Sequence, residues 1–98
     1  MKLYAIRRKS GWHTPESLQA AAARSKQIGD DEMSGDIRWI RSYVVEEEDG
    51  SLGTVCIYQA SSPEKIREHA DRVGMPASEI NAIADTVIVR PDPVQVAA

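Results

Sequence analysis

Histidine and cysteine are the residue types of this sequence best suited to chemistry, and both are scarce: 98 residues include two histidines and one cysteine. An imidazole can titrate near neutral pH or bind a transition metal, so His69 is the best single candidate for a metal ligand or an acid-base group. It lies three positions from Ile66 and one from Ala70, at the edge of a predicted helix's apolar stripe. The alternative is a partly buried histidine that is hydrogen-bonded to the backbone or to a carboxylate.

A predicted hairpin brings a second group of candidate residues together. Asp49-Gly50 is the strongest short-range signal for a two-residue turn, and such a turn pairs Glu48 with Ser51. Further along the two strands, this register pairs Tyr43 with Cys56 and Arg41 with Tyr58. We take these four residues as candidate ligand-binding residues. Aromatic walls with a few polar groups are typical of ligand pockets.

The same register gives the predicted sheet two unlike faces. The aromatic face carries Trp39, Arg41, Tyr43, Cys56 and Tyr58. The aliphatic face, which suits packing under helices, carries Ile40, Ser42, Val44, Val55 and Ile57. No element of this chain is left to cover the aromatic face, so we expect a homodimer in which two sheets meet as a dimeric α/β barrel. Packing in such a dimer explains the aromatic residues better than a ligand pocket does.

The elements that position these residues follow the order β-α-β-β-α-β. Strands are predicted over residues 2–7, 37–45, 54–58 and 86–89, with helical turns within 78–84. Helices are predicted from the cap Thr14 to about Ile28, ended by Gly29, and from Ser62 to Gly74. The predicted fold class is α+β: a ferredoxin-like split βαβ domain, with a four-stranded antiparallel sheet and both helices on one face. Residues 1–91 form this domain, and 92–98 form a flexible C-terminal tail.

Composition argues against several classes of function. The 12 basic and 15 acidic residues give a net charge of -3, so we expect neither nucleic-acid nor membrane binding. A single cysteine cannot form an internal disulfide, and the first residues have a strand pattern rather than that of a signal peptide, so we expect a cytoplasmic location. A glycine-rich phosphate loop, a CxxC pair, an HExxH helix and a Gly-x-Ser-x-Gly elbow are all absent, so no recognised catalytic motif supports an enzyme.

Several segments carry a resemblance to a known family. They are residues 36–44, 56–60, 62–70 and 74–77, of which Cys56-Ile57-Tyr58 and Arg67-Glu68-His69-Ala70 are the most specific. The sequence resembles a family of small bacterial proteins of largely unknown function, one branch of which is described as nickel-binding. The resemblance covers nearly the whole chain and implies a ferredoxin-like protomer that dimerises. This sequence has Gln59 and Val89 at two positions where acidic residues are expected in the family.

Two functions of different classes follow. The first is a homodimeric metal-binding protein, for nickel or a similar ion, in which His69 and nearby carboxylates are the ligands. The second is a small-molecule binder or cofactor-independent enzyme of the dimeric-barrel type, with a pocket on the aromatic sheet face. An interaction module without a small ligand is a third hypothesis.

Overall fold

The structure, a computed structural model, describes residues 1–94 of the chain. Its elements are β1 (Lys2–Trp12), α1 (Pro15–Asp31), β2 (Ile37–Glu46), β3 (Leu52–Ala60), α2 (Pro63–Val73) and β4 (Glu79–Ala82). The strands form one antiparallel sheet in the spatial order β2-β3-β1-β4. Ser25 of α1 and His69 of α2 both contact Tyr58 of β3, so the two helices share one face of the sheet. The ferredoxin-like split βαβ fold predicted from the sequence is confirmed.

Side-chain caps determine where both helices begin. Thr14 precedes α1 and accepts a hydrogen bond from the backbone N–H of Ser17 at 3.1 Å. Ser62 precedes α2 and accepts one from the backbone N–H of Lys65 at 3.3 Å. Each bond satisfies a donor that a helix N-terminus would otherwise leave free. Within residues 1–94, neither helix is long and apolar enough to cross a membrane.

The helix ends differ from one another. α2 ends where predicted, at Gly74, whose φ of 84° is readily adopted by glycine alone. α1 continues to Asp31, so the prediction that Gly29 ends this helix is wrong. Gly29 does not have a positive φ and is buried inside the helix, packed toward His69. A glycine lowers helix stability but does not by itself end a helix.

The last strand lies earlier in the chain than predicted. β4 occupies Glu79–Ala82, where helical turns were expected, and Thr86–Val89 does not form a strand. Ile80 stands opposite Ile6 of β1 and packs against the core. A short apolar run cannot be assigned to helix or strand by its periodicity alone. Here the segment forms a strand because pairing with β1 buries part of Ile80.

The β2–β3 hairpin turns through three residues rather than two. The backbone N–H of Glu47 donates to the carbonyl of Ser51 at 2.9 Å, and that of Gly50 donates to the carbonyl of Glu47 at 3.0 Å. Gly50 has a φ of 86°, which is typical of a three-residue loop closed by a left-handed glycine. The register is therefore one residue away from the predicted pairing of Glu48 with Ser51.

This shift changes the cross-strand neighbours of every candidate residue in the hairpin. The observed pairs are Ser42 with Cys56, Tyr43 with Val55, Arg41 with Ile57, and Trp39 with Tyr58. The predicted pairs Tyr43 with Cys56 and Arg41 with Tyr58 are wrong. An irregularity between Trp39 and Arg41 shifts the register by one more residue, which returns Trp39 to the same face as Tyr58.

The predicted composition of the two sheet faces is therefore wrong for Trp39, Ile40 and the residues of β3. It is right for Arg41 and Tyr43, which face away from the helices, and for Ser42 and Val44, which line the helix side. The helix-covered face carries most of the core, including Tyr4, Ile6, Cys56 and Tyr58. The other face, here called the open face, includes Leu3, Ala5, Ile40, Arg41, Tyr43, Val55 and Ile57. The expectation that aromatic residues face away from the helices is wrong for Trp39 and Tyr58, because a one-residue change of register exchanges the faces. The predicted tail 92–98 lies in part outside the described residues.

Candidate ligand-binding cavity

A cavity of about 350 Å³ lies between α1 and the helix-covered face of the sheet. Its walls are mostly apolar, and they include Arg8, Trp12, Ala22, Trp39, Cys56 and Tyr58. Both tryptophans of the chain are therefore cavity residues. The space is partly open to solvent, and its mostly apolar lining, rather than its size, distinguishes it from the other grooves among residues 1–94.

One wall of the cavity is a pair of aromatic rings. Trp39 and Tyr58 are stacked with 6.0 Å between ring centroids and 6° between ring planes. The indole N–H of Trp39 donates to Ser42 Oγ at 2.8 Å, and the Tyr58 hydroxyl is 2.9 Å from Ser25 Oγ. Burial raises the pKa of Tyr58 above its ordinary value of 10.0, so the phenol is neutral at physiological pH. This wall is therefore aromatic and uncharged.

Arg8 supplies the positive charge of the cavity. Arg8 is 1% exposed and pairs with Thr54 of β3 in the sheet. Nη1 donates to the carbonyl oxygen of Pro76 at 2.7 Å, and the guanidinium carbon lies 5.7 Å from the centre of the Tyr58 ring. The other two nitrogens, Nε and Nη2, have no hydrogen-bond partner within residues 1–94.

Our interpretation of the sequence missed Arg8, although a signal was present. The first strand was predicted to end in charge at Arg7, which left Arg8 unassigned. Tyr4 and Ile6 are buried, and side chains alternate between the faces of a strand. A strand that continues two residues beyond Ile6 must place the side chain of Arg8 on that same buried face. The error was the length assigned to β1, which extends to Trp12.

Cys56 and Tyr58 are the two predicted site residues that the cavity brings together. Cys56 is 4% exposed, and its Sγ donates to Thr54 Oγ1 at 3.2 Å. A small, soft side chain suits this buried position, which also lines the space that a ligand would occupy.

Arg41 and Tyr43, the other two members of the predicted group, lie on the open face and are separated from Cys56 by the sheet itself. The Arg41 guanidinium carbon is 5.6 Å from the Tyr43 ring centre. Both side chains contact Asp92: the Tyr43 hydroxyl donates to it at 2.6 Å, and Arg41 Nη1 forms an ion pair at 3.8 Å. The structure therefore divides the predicted group of four between two faces.

His69 lies deep between α2 and α1 and is 1% exposed. Its Nε2 is 3.0 Å from the carbonyl oxygen of Ser25, which can only accept, so Nε2 carries the proton. Nδ1 is then an unprotonated nitrogen, and it has no partner within the described chain. Burial is the main reason that the pKa of His69 lies below the ordinary value of 6.5, and the nearby charge of Arg8 lowers it further.

The residues of one protomer do not fit a nickel site. A single nitrogen of His69 is free to coordinate, and residues 1–94 contain no group of three His, Cys, Asp or Glu side chains that could hold a metal ion. Glu68, the neighbouring carboxylate, is paired with Lys65 at 3.3 Å and with Arg72 at 2.7 Å. Nickel bound with the usual several ligands would need donors from outside residues 1–94 of one protomer.

The fold and the cavity define a small ferredoxin-like α+β domain with a partly open, mostly apolar cavity between α1 and the sheet. The chain belongs to the family described as nickel responsive protein SCO4226-like, whose sequence model matches residues 4–83. The family membership predicted from the sequence is thereby confirmed. No curated protein matches the chain.

A solved structure supports the same architecture. The crystal structure of SCO4226 from Streptomyces coelicolor A3(2) superposes with a TM-score of 0.67 over 87% of this chain and 99% of that chain. The two sequences are 17% identical, so the similarity bears on the fold alone.

Proposed function

We propose that this protein is a small-molecule-binding member of its family and that the ligand occupies the cavity between α1 and the sheet. The observation that carries the proposal is the cavity itself, about 350 Å³ in volume, whose lining is mostly apolar with a few polar residues. Ligand pockets commonly measure about 300–1,000 Å³ and have this composition. The single buried thiol, Cys56, is consistent with a binder that works in the reducing cytoplasm.

The cavity can be tested by filling it. Ala22 of α1 lines the cavity, whereas its neighbour Ala23 is exposed, so Ala22→Phe and Ala23→Phe form a matched pair. Small aromatic acids, amides and alcohols are titrated into untagged protein, and binding is followed by the fluorescence of Trp12 and Trp39. We expect binding to wild type and to Ala23→Phe, and its loss in Ala22→Phe. Equal binding by both variants would place the ligand elsewhere.

Direct nickel binding by a homodimer is a second candidate function, favoured by the family description and by the free Nδ1 of His69. Because one protomer lacks a ligand set, a partner protomer would have to supply the remaining donors. Calorimetric titration of untagged protein with nickel tests the idea, with His69→Ala as the variant and His13→Ala as its control. Absence of binding, or binding that His69→Ala leaves unchanged, would exclude this site.

Dimerisation through the open face is supported by its exposed apolar side chains. Ile40 is 48% exposed there, and Val87, which lines a shallow groove beside it, is 86% exposed. A second copy that covered this face would remove such groups from water. Light scattering on untagged protein is expected to give the mass of a dimer. Ile40→Asp should shift the mass toward a monomer and Ala23→Asp should not; a monomer in wild type at micromolar concentration would refute the dimer.

A further inference from the structure

Arg8 is a buried cation without a counter-charge. Arg8 is 1% exposed, and it belongs to none of the ion pairs among residues 1–94. A guanidinium stays protonated in proteins, and a buried charge is costly unless it is paired and hydrogen-bonded. The cavity therefore contains a positive charge that the described part of the chain does not neutralise.

The free nitrogens of Arg8 have the geometry of a carboxylate receptor. Nη1 is bonded to Pro76, which leaves Nε and Nη2 without partners. These two nitrogens lie on the same side of a guanidinium and direct parallel N–H groups outward, the fork that binds both oxygens of a carboxylate. The bond to Pro76 and the position beside the Tyr58 ring hold the guanidinium in place. Nε and Nη2 have essentially no accessible surface, so side chains of the cavity wall must shift for a carboxylate to reach them.

The other walls of the cavity determine which kind of group, beyond the carboxylate, the ligand carries. The polar groups nearest the aromatic wall are already paired, Trp39 with Ser42 and Tyr58 with Ser25. What is left for contact is mostly apolar and includes the partly exposed, planar indole of Trp39. Flat apolar walls favour an aromatic or similarly planar body.

We propose that the cavity binds a small carboxylic acid with a planar apolar body and that Arg8 holds its carboxylate through Nε and Nη2. This inference rests on the proposed function, binding in the same cavity, and adds the chemical class of the ligand. Two free donors on one arginine match a carboxylate; a phosphate, with more oxygens and more charge, would need further donors. A purely structural arginine would use its donors within the protein, and Arg8 uses one nitrogen of three.

Matched acids and amides test the charge requirement. Benzoate, phenylacetate and cyclohexanecarboxylate, each with its neutral amide, are titrated calorimetrically into wild type, Arg8→Met, Arg8→Lys and Ala22→Phe. In wild type we expect the acids to bind more tightly than the amides. Arg8→Met should weaken acid binding by about 10- to 100-fold, the size expected for hydrogen bonds to a charged group, and weaken amide binding by a smaller factor, because the amide oxygen accepts the same hydrogen bonds without a charge. Arg8→Lys should be intermediate because an ammonium cannot form the fork.

The folding of the variants provides an independent readout. Replacement of an unpaired buried charge by an apolar side chain of similar length is often neutral or stabilising, so Arg8→Met should melt no lower than wild type when no ligand is present. Addition of phenylacetate should raise the melting temperature of wild type but not that of Arg8→Met. A merely structural Arg8 would show the opposite pattern, a less stable variant whose response to phenylacetate is unchanged.

Failure of this inference can be told apart from failure of the proposed function. Equal affinities for acid and amide in wild type, or acid binding that Arg8→Met leaves intact, would overturn the carboxylate assignment while the cavity remained a binding site. If no acid and no amide binds wild type, or if Ala22→Phe leaves their binding unchanged, both proposals fall. Should Arg8→Met not fold, the acid–amide comparison in wild type still decides the question.

Discussion

The hydroxyl of Tyr58 lies 2.9 Å from Ser25 Oγ, and this hydrogen bond joins the sheet to the first helix beside the cavity. The carbonyl of the same serine accepts a hydrogen bond from His69 Nε2 at 3.0 Å. Ser25 therefore connects β3 through its side chain and α2 through its backbone. The three residues are buried, so their bonds contribute to stability more than bonds of the same length at the surface.

Tyr58→Phe should lower the free energy of unfolding by about 1 kcal/mol, because the variant leaves Ser25 Oγ buried without this partner. Urea denaturation measures the change. Tyr43→Phe is the control, since the hydroxyl of Tyr43 bonds Asp92 on the exposed side of the sheet, and we expect its effect to stay within about 0.5 kcal/mol. Equal losses in the two variants would show that the buried bond does not have the role assigned to it.

Gly53→Ala should be more disruptive than its size suggests. A Cβ at this position would stand 2.6 Å from the carbonyl oxygen of Arg8 and 2.7 Å from Arg7 Nη1, and it would also meet the Glu47 carboxylate. The added methyl must displace the backbone of β1 and the ion pair between Arg7 and Glu47, at a cost of about 1–3 kcal/mol.

Gly35→Ala supplies the matched control for that substitution. Nothing lies within 4 Å of the corresponding Cβ, and Gly35 does not have a positive φ. The same change there should be neutral or slightly stabilising in thermal or urea unfolding. A Gly53→Ala variant as stable as Gly35→Ala would mean that β1 and β3 are not in the close contact described.

The hairpin illustrates how far sequence reasoning reached. Asp49-Gly50 correctly located the turn, because few residues other than glycine adopt a positive φ. The same dipeptide is compatible with a two-residue loop and with a three-residue loop, and the choice depends on which strand residues gain burial. Every cross-strand neighbour in the hairpin follows from that choice, so the fold was predicted correctly but the pairing of the candidate residues was not.

The contacts of buried polar side chains were the second feature that the sequence did not predict. His69 was placed correctly at the edge of a buried helical stripe, but its bond to Ser25 depends on the packing of α2 against α1. Arg8 was missed because the first strand was predicted to end at Arg7, whereas strand alternation in a longer strand would have put Arg8 inside. Local sequence patterns predict helices, strands and helix caps. Which charged side chains are buried depends instead on strand register and strand length.

Gly50→Ala tests the loop that sets this register. The φ of 86° is unfavourable for residues with a Cβ, so alanine should cost about 1–2 kcal/mol in unfolding experiments. Gly50→Asn should cost less, since asparagine tolerates the left-handed region better. No steric contact complicates the comparison, because nothing lies within 4 Å of a Cβ at Gly50. Equal stability of wild type and Gly50→Ala would argue for a different turn.

The buried His69 should make the protein sensitive to mild acid. Its pKa in the folded state is below 6.5, chiefly because burial disfavours the charged imidazole. As the pH falls through 6.5 toward the lower folded-state pKa, the unfolded chain binds a proton that the folded protein does not, so the free energy of unfolding decreases. Within that window the decrease approaches about 1.4 kcal/mol per pH unit. Urea denaturation at a series of pH values measures the slope.

His69→Gln identifies the group responsible. The variant should be less stable than wild type at pH 7, because it disturbs a buried contact with Ser25, but its stability should change less as the pH is lowered through 6.5. His13→Gln, at an exposed position, should keep the wild-type slope. Glu47 has a lowered pKa through its bond to Arg7, and it adds a further loss of stability only as the pH falls below 4.5. If the stability of His69→Gln depended on pH as steeply as that of wild type, the loss of stability above pH 4.5 would come from another group.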